Sequence, residues 1–476
     1  MNTHQYKMLI DGELISTEQT FPVVNPATGD VVAQAPQAGP EHIEQALIAA
    51  DKGFNLWSSM PLSEREPLIL AYADLLEQHK QEIIDILIAE TGKPYDNADY
   101  DFGMLVTCLR YFVEEAKRIE QPVIPDPDGR FLHYMRRQPL GVVVGYLAWN
   151  FPLLNVGYKI GPVLASGCSA IIKPSQVTPL ASLRCAELAI AAGIPAGVIN
   201  MISSDQYDVT DPLLTSDKTK LFTMIGSTNA GVNCMKNSLT NLKHFSVELG
   251  GNAPVVVYDD ADLDKAVQDI VDLKFGNSGQ VCVSPNRCFV HESVYSAFLE
   301  KAKVRAEGLT LRAGKGEGRM MGPMINGKER ERVIGLIEQA VANGASLVTG
   351  GNKTADAGFY LQPTILADVD LSMSVVQQEI FGPVLAVLPF SDNDDILSLA
   401  NDNEFGLAAY VYTTNLQRGL QAAEKIQSGS VCINEAHYAV QLPHGGLKQS
   451  GIGKDCSKYS LEEYMTLKRV SVLINN

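Results

Sequence analysis

Long apolar runs are missing from this chain. None approaches the roughly 20 residues needed to cross a bilayer as a helix, so no membrane span is expected. Basic charge is short as well: 38 Lys and Arg stand against 55 Asp and Glu, for a formal net charge of −17. Nucleic acid and anionic membrane both demand basic patches, so neither is an expected partner. The eight cysteines, at 108, 168, 185, 234, 282, 288, 432 and 456, form no CxxC pair and no regular framework. In a chain this long, scattered cysteines belong to reduced thiols and a cytoplasmic setting. The eight histidines show neither HxH nor HExxH spacing, so no metal is expected. GxGxxG is absent too. The first residues, Met-Asn-Thr-His-Gln-Tyr-Lys, carry no charged-then-apolar leader.

What is present is an ordinary globular composition, with 46% hydrophobic and 20% charged residues. A length of 476 residues exceeds one compact core and predicts two or three domains. Residues 40–117 have helical spacing, with one long periodic run over 64–88. Pro122-Val-Ile-Pro-Asp-Pro127 breaks it, and residues 130–138 alternate like an exposed strand. From Gly141 the pattern changes. Short apolar runs at 141–147, 170–173, 198–202 and 221–225 are separated by helical stretches at 160–165, 180–192 and 211–216. A second series has strand candidates at 254–258, 287–290, 346–349, 384–388, 409–412 and 430–434, with helices between. Alternation of this kind predicts parallel, doubly wound sheets, whose buried strands are continuously apolar. The expectation is therefore an α/β protein with two doubly wound domains. The first takes 1–120 and 140–247, and the second takes 248–433. A small β arm is formed by 121–139 and 455–476. The last strand, 469–474, has two candidate partners: the 130 arm or another subunit.

Five local patterns bear on chemistry. In Asn277-Ser-Gly-Gln-Val-Cys282 a cysteine follows a Gly turn, where backbone N–H groups can stabilise a thiolate; a small core cysteine has the same look. Glu248-Leu-Gly-Gly-Asn-Ala-Pro254 puts a carboxylate at a strand end, as a general base on water or as a turn cap. Ala148-Trp-Asn-Phe-Pro152 offers the Asn150 amide to an oxyanion, or forms an Asx turn. Gly226-Ser-Thr-Asn-Ala-Gly231 is a strand–turn–helix that can cradle phosphate, or a plain βα turn. Gln378-Glu-Ile-Phe-Gly-Pro-Val384 sets a carboxylate and a ring before a strand, suited to ribose hydroxyls and a flat base, or to a surface Glu beside a core Phe.

Taken together and in this order, these residues resemble the aldehyde dehydrogenase superfamily over nearly the whole chain. The carrying motifs are Trp149-Asn-Phe-Pro, Lys173-Pro-Ser, Gly226-Ser-Thr, Glu248-Leu-Gly-Gly-Asn-Ala-Pro, Gly279-Gln-Val-Cys282, Glu379-Ile-Phe-Gly-Pro and Pro443-His-Gly-Gly-Leu-Lys-Gln-Ser-Gly451. The resemblance implies a Rossmann-like cofactor domain, a catalytic domain, an oligomerisation arm, and a homodimer or homotetramer. It also implies that Cys282 attacks an aldehyde, that Asn150 and the Cys282 N–H hold the oxyanion, and that Glu248 activates the water that hydrolyses a thioester. NAD is the implied cofactor, with NADP possible. Lys173 would take the adenosine ribose, Glu379 the nicotinamide ribose, and Ser227 with Gly226 the pyrophosphate. Phe381, Trp149 and Leu249 would pack near the nicotinamide, and Ser175 and Gln176 would lie beside the adenosine ribose.

Several positions depart from the family pattern. Met224-Ile precedes Gly226 where Phe-Thr is usual, and Ser203-Ser204 replaces a Thr-Gly turn. Gln176 stands where NAD-preferring members carry Glu, which removes the repulsion against a 2′-phosphate. The wording is similar to the succinate-semialdehyde dehydrogenase branch, yet Tyr158 and Gly276 occupy the places of that branch's carboxylate-binding arginines. The expected substrate is a small semialdehyde, aminoaldehyde or hydroxyaldehyde. Tyr158, Trp149 and Tyr438 are candidates for an aromatic pocket suited to a cationic or uncharged aldehyde. The competing readings are a CoA-acylating dehydrogenase and a non-catalytic structural relative.

Overall fold

The computed structural model describes residues 5–354 and 357–474. Residues 1–4, and the last two of the arm segment 455–476, lie outside the described residues. The chain is a mixed α/β protein built on two large, mainly parallel sheets.

The first sheet has eight strands. Its five central strands run in the spatial order Ile199–Met201, Ser169–Lys173, Val142–Tyr146, Thr219–Ile225, His244–Glu248, all parallel. The strand earliest in sequence, Val142–Tyr146, is in the middle, so the chain winds outward first to one side and then to the other. Such a reversal leaves a crevice at the carboxyl ends of the strands, where ligands bind. Every residue of Val142–Tyr146 and Ser169–Lys173 is buried, which explains their continuous apolar sequences. Met8–Ile10 and Glu13–Ile15 close one edge antiparallel, and Gly451–Ile452 closes the other.

The helix Pro152–Ser166, buried along its whole length, follows directly on Val142–Tyr146. It crosses Tyr95–Ala116 very closely because Gly157 and Gly161 share a face. A Cβ on them would come 2.8 Å from Leu105 Cα and 2.6 Å from Phe112 Cδ2. The periodic run over 64–88 is two helices, Leu62–Gln78 and Lys80–Thr91. The break falls at His79, which precedes the second helix and whose ring is 2.9 Å from the Glu82 Oε2 of its first turn.

The second sheet has seven strands in the order Ser346–Thr349, Thr364–Ala367, Val384–Phe390, Pro285–His291, Ala253–Val257, Ala408–Tyr412, Ser430–Ile433. All pair in parallel except Ser346–Thr349, which is antiparallel to its neighbour. A third, three-stranded sheet contains Val123–Ile124, Phe131–Pro139 and Met465–Leu473. Of the two partners open to the last strand, the structure chooses the arm of the same chain, in nine residue pairs. No described helix is long and apolar enough to cross a membrane.

Candidate active site

Cys282 lies in the loop between the short helix Gly276–Gly279 and the strand Pro285–His291. Three successive residues before it have left-handed backbone: Asn277 (φ 48°), Ser278 (φ 57°) and Gly279 (φ 70°). Only Gly adopts this region without cost, so the two non-glycine residues must be held there. The structure supplies the clamps. Asn277 Nδ2 donates to the carbonyls of Asn150 and Gln280 at 3.0 and 3.2 Å. Ser278 Oγ donates to the Gly322 carbonyl at 2.6 Å. Gln280 accepts from the Ile325 N–H at 2.8 Å. Gly279 has no alternative, since a Cβ there would sit 2.1 Å from the Gly382 oxygen. The loop also leans on Gly251, where a Cβ would meet the Cys282 carbonyl oxygen at 2.2 Å. The paired glycines after Glu248 thus serve close backbone approach.

Glu248 ends the strand His244–Glu248, 34 residues before the cysteine. Its Oε1 accepts a hydrogen bond from the Cys282 thiol at 2.8 Å. The same oxygen lies 3.1 Å from His444 Nε2. Burial alone would raise the Glu248 pKa, but the imidazole and the thiol donor outweigh it and hold the carboxyl well below the usual range. Burial would likewise lower His444, and the Glu248 charge outweighs that and raises it. Burial and the adjacent carboxylate push the Cys282 thiol well up, although the Val283 N–H works the other way. At rest, then, this is a charged Glu–His pair beside a protonated thiol.

Behind the pair is a second, fully buried one. Lys159 Nζ lies 2.6 and 2.9 Å from the two carboxylate oxygens of Asp455. The rings of Tyr158 and Tyr438 flank His444, with centroids 6.3 and 5.9 Å away. His444, Lys159 and Asp455 are the residues that sequence reasoning missed. His444 lies within a Gly-rich segment, and no periodic signal marks a loop residue that reaches back nearly 200 positions to Glu248.

Of the other expected residues, Asn150 is 4% exposed, just after Val142–Tyr146. Its Nδ2 donates to the Gln280 carbonyl at 3.2 Å, two residues before the cysteine, and its Oδ1 has no protein partner. Trp149 packs edge-on against Phe381, ring centres 5.3 Å apart. Lys173 ends its strand with its Nζ 5.7 and 5.3 Å from the ring centres of Tyr146 and Tyr207, and burial lowers its pKa to about 8. Ser175 follows it in the same turn, with its Oγ accepting weakly from the Val177 N–H at 3.5 Å. Gln176 donates to the Tyr207 hydroxyl at 2.9 Å. Gly226 N–H donates to the Glu248 carbonyl at 3.1 Å, and Ser227 caps the helix Thr228–Asn237 through the Ala230 N–H. Leu249 packs on that helix, where a Cβ at Gly231 would meet its Cδ2 at 2.5 Å. Glu379 accepts from the Gly251 N–H at 2.9 Å, and burial pushes it up to about 7. The serines of the departing turn tie it to the N-terminal segment: Ser204 Oγ accepts from Gln37 Nε2 at 2.7 Å, and Ser203 Oγ donates to the Pro36 carbonyl.

The structure therefore gathers a carboxylate and an amide from the carboxyl ends of two strands of the first sheet, and a thiol from the loop that leads into Pro285–His291 of the second. Residues 14–470 match the aldehyde dehydrogenase family. The chain belongs to the aldehyde dehydrogenase family. It is 38% identical over 467 residues to a mitochondrial succinate-semialdehyde dehydrogenase of Arabidopsis thaliana, covering 97% of this chain and 88% of that protein. It is 38% identical over 464 residues to the 3-sulfolactaldehyde dehydrogenase of Pseudomonas putida, covering 97% and 96%. An aldehyde dehydrogenase from Bacillus cereus, solved as its NAD+ complex, superposes with a TM-score of 0.96 at 36% identity over 99% of this chain and 97% of that one. Membership accounts for the shared sheet order and strand-end motifs.

Proposed function

We propose that the chain oxidises a small aldehyde to its carboxylic acid with NAD(P), through a thiohemiacetal and then a thioester on Cys282. The observation that carries this is the direct contact of the Cys282 thiol with Glu248 at 2.8 Å. The carboxylate is placed to take the thiol proton as sulfur bonds to the carbonyl carbon and the carbonyl electron pair moves to oxygen. The Asn150 amide and the Cys282 backbone N–H would hold that oxyanion, the amide turning from the Gln280 carbonyl. Bound NAD(P) supplies the hydride acceptor that makes the thioester.

The residues present suit that cofactor. A cation at the Ser169–Lys173 strand end, the Ser227-capped N-terminus of Thr228–Asn237, and the desolvated Glu379 carboxylate form the donor set a dinucleotide uses. Lys173, with Ser175 and Gln176 beside it, would hold the adenosine ribose. Gly226 and Ser227 would take the pyrophosphate, and Glu379 the nicotinamide ribose, with Trp149, Leu249 and Phe381 packed beside it. Neutral Gln176 tolerates a 2′-phosphate, which supports use of either NAD or NADP.

Once the thiol proton has passed from Glu248 to solvent, the carboxylate removes a proton from water whose oxygen attacks the thioester carbon. The C–S bond breaks, and Cys282 leaves as thiolate and regains a proton. The rings of Tyr158 and Tyr438 on either side of His444 favour an uncharged aldehyde tail. The exposed apolar residues of the small sheet, Val123, Ile124, Leu132, Leu467, Val472 and Leu473, support assembly into a homodimer or homotetramer.

The test is NAD(P)H absorbance over a panel of aldehydes, wild type beside Cys282→Ala, with products identified with and without CoA. Reduction by wild type alone, yielding free acid, is expected. Acyl-CoA as the sole product, or equal reduction by Cys282→Ala, would overturn this reading.

A further inference from the structure

We infer that Glu248, Cys282 and His444 form a binding site for a thiophilic divalent cation of the zinc class, and that such an ion switches the enzyme off reversibly. The three side chains come from the end of the strand His244–Glu248, the loop before Pro285–His291, and the loop before Leu447–Lys448. Their ligand atoms, a carboxylate oxygen, a sulfur and an imidazole nitrogen, all lie within 4.8 Å of one another. No other trio of Cys, His and carboxylate side chains converges in this way among the described residues. The histidine and cysteine spacing that argued against a metal tests only ligands close in the chain; the fold brings these three together.

The geometry is close to a closed coordination polyhedron. With bonds of about 2.0–2.3 Å, a tetrahedral zinc centre has ligand–ligand edges of roughly 3.3–3.7 Å. Two edges here are 2.8 and 3.1 Å, so they open slightly while the sulfur–nitrogen edge closes. The donor set is also right: thiolate and imidazole favour zinc-like ions over magnesium or calcium. Three protein ligands leave a fourth position for water, and Cys282 is only half-buried, so that position opens outward.

Charge balances as well. A divalent ion with one thiolate, one carboxylate and a neutral imidazole carries no net charge, which suits a site this poor in solvent. The ion takes the place of the thiol proton and of the proton that charged His444 directs at Glu248, and both protons leave to solvent. No carbon bond forms and no oxidation state changes. Sulfur and carboxylate are then both engaged, so neither attack on aldehyde nor activation of water proceeds. Binding rests on these side chains alone; only its consequence for turnover rests on the reaction proposed above.

The experiment is a titration of cofactor-free protein with Co2+ alone, followed by the thiolate-to-cobalt charge-transfer band and the visible bands of a four-coordinate ion. One equivalent with a single-sulfur signature is expected. Cys282→Ser should abolish the charge-transfer band, and His444→Phe and His444→Gln should each weaken binding at least tenfold. Circular dichroism checks that the variants fold, and either histidine variant suffices if the other does not. Zn2+ should inhibit wild type, with activity restored by a chelator. Absence of the thiolate band at one equivalent, or unchanged affinity in a folded His444 variant, would overturn the site. A protein that binds Co2+ as described yet oxidises no aldehyde would keep the site and sink the proposed reaction.

Discussion

Asp455 and His444 exchange two backbone hydrogen bonds, N–H to carbonyl in each direction, at 2.6 and 2.7 Å. The side chain of Asp455 meanwhile holds Lys159 in a pair whose members are 3% and 0% exposed. The loop that presents His444 to Glu248 is thus pinned to a buried charge pair. Removing one member strands the other, at a cost of about 3–5 kcal/mol. Asp455→Asn should therefore lower the melting temperature markedly, while Lys159→Met with Asp455→Leu should lose less than Asp455→Asn alone. Calorimetry on the single and double variants decides it, and a double loss equal to the sum of the two single losses would show that the residues are not coupled.

Glu248→Gln removes the base from both halves of the proposed reaction. With no carboxylate to take the thiol proton or to activate water, the first equivalent of NAD(P)H should form more slowly, and steady turnover should fall by about 10²–10⁴-fold. Stopped-flow absorbance reads both phases. Turnover at the wild-type rate would remove Glu248 from the chemistry.

Lys173 gives a pH signature. Burial lowers its pKa to about 8, so the free protein carries its charge below that value and loses it above. The cation form is the one that attracts phosphate, so NADP affinity should fall as pH rises through about 8, and NAD affinity should fall less. Lys173→Met should weaken NADP by roughly 10–100-fold, the worth of one charged hydrogen bond, and flatten the pH dependence. Titration calorimetry with each nucleotide on both sides of pH 8 tests this.

Gly251→Ala places a Cβ 2.2 Å from the Cys282 carbonyl oxygen, a backbone atom that cannot rotate away. Forced overpacking costs about 1–3 kcal/mol, but the larger effect should be on rate. A shift of about 1 Å in a reacting group is worth about 10²-fold. Gly335→Ala is the matched control, because nothing lies within 4 Å of its Cβ position, and it should keep full activity. Steady-state kinetics with thermal melts on both variants compare the two.

The parallel strands were legible because burial on both faces leaves continuous apolar runs, as in Val142–Tyr146 and Ala253–Val257. Thr364–Ala367 was not, although all four residues are buried: it is short, and it follows a proline with no alternation to mark it. The hairpin Thr20–Val24 and Val31–Pro36 escaped for another reason: its buried apolar face is as short as Phe21, Val23 and Ala35. At the site, Cys282, Glu248 and Asn150 were visible because each sits in a turn with its own local residue pattern. His444 and Asp455 meet their partners only through tertiary structure, and no local pattern encodes that.

The strand Gly451–Ile452 is the neighbour that covers the open edge of His244–Glu248. During synthesis Cys282 and Glu248 therefore emerge well before the segment that covers this edge, with the strand that ends in Glu248 exposed at the sheet edge. An unpaired edge of this kind invites pairing with other chains. Only when the last few tens of residues leave the ribosome does the C-terminal segment cap that edge and bring His444 against the carboxylate. A chain stopped before Gly451 would leave that edge unpaired and prone to join other chains.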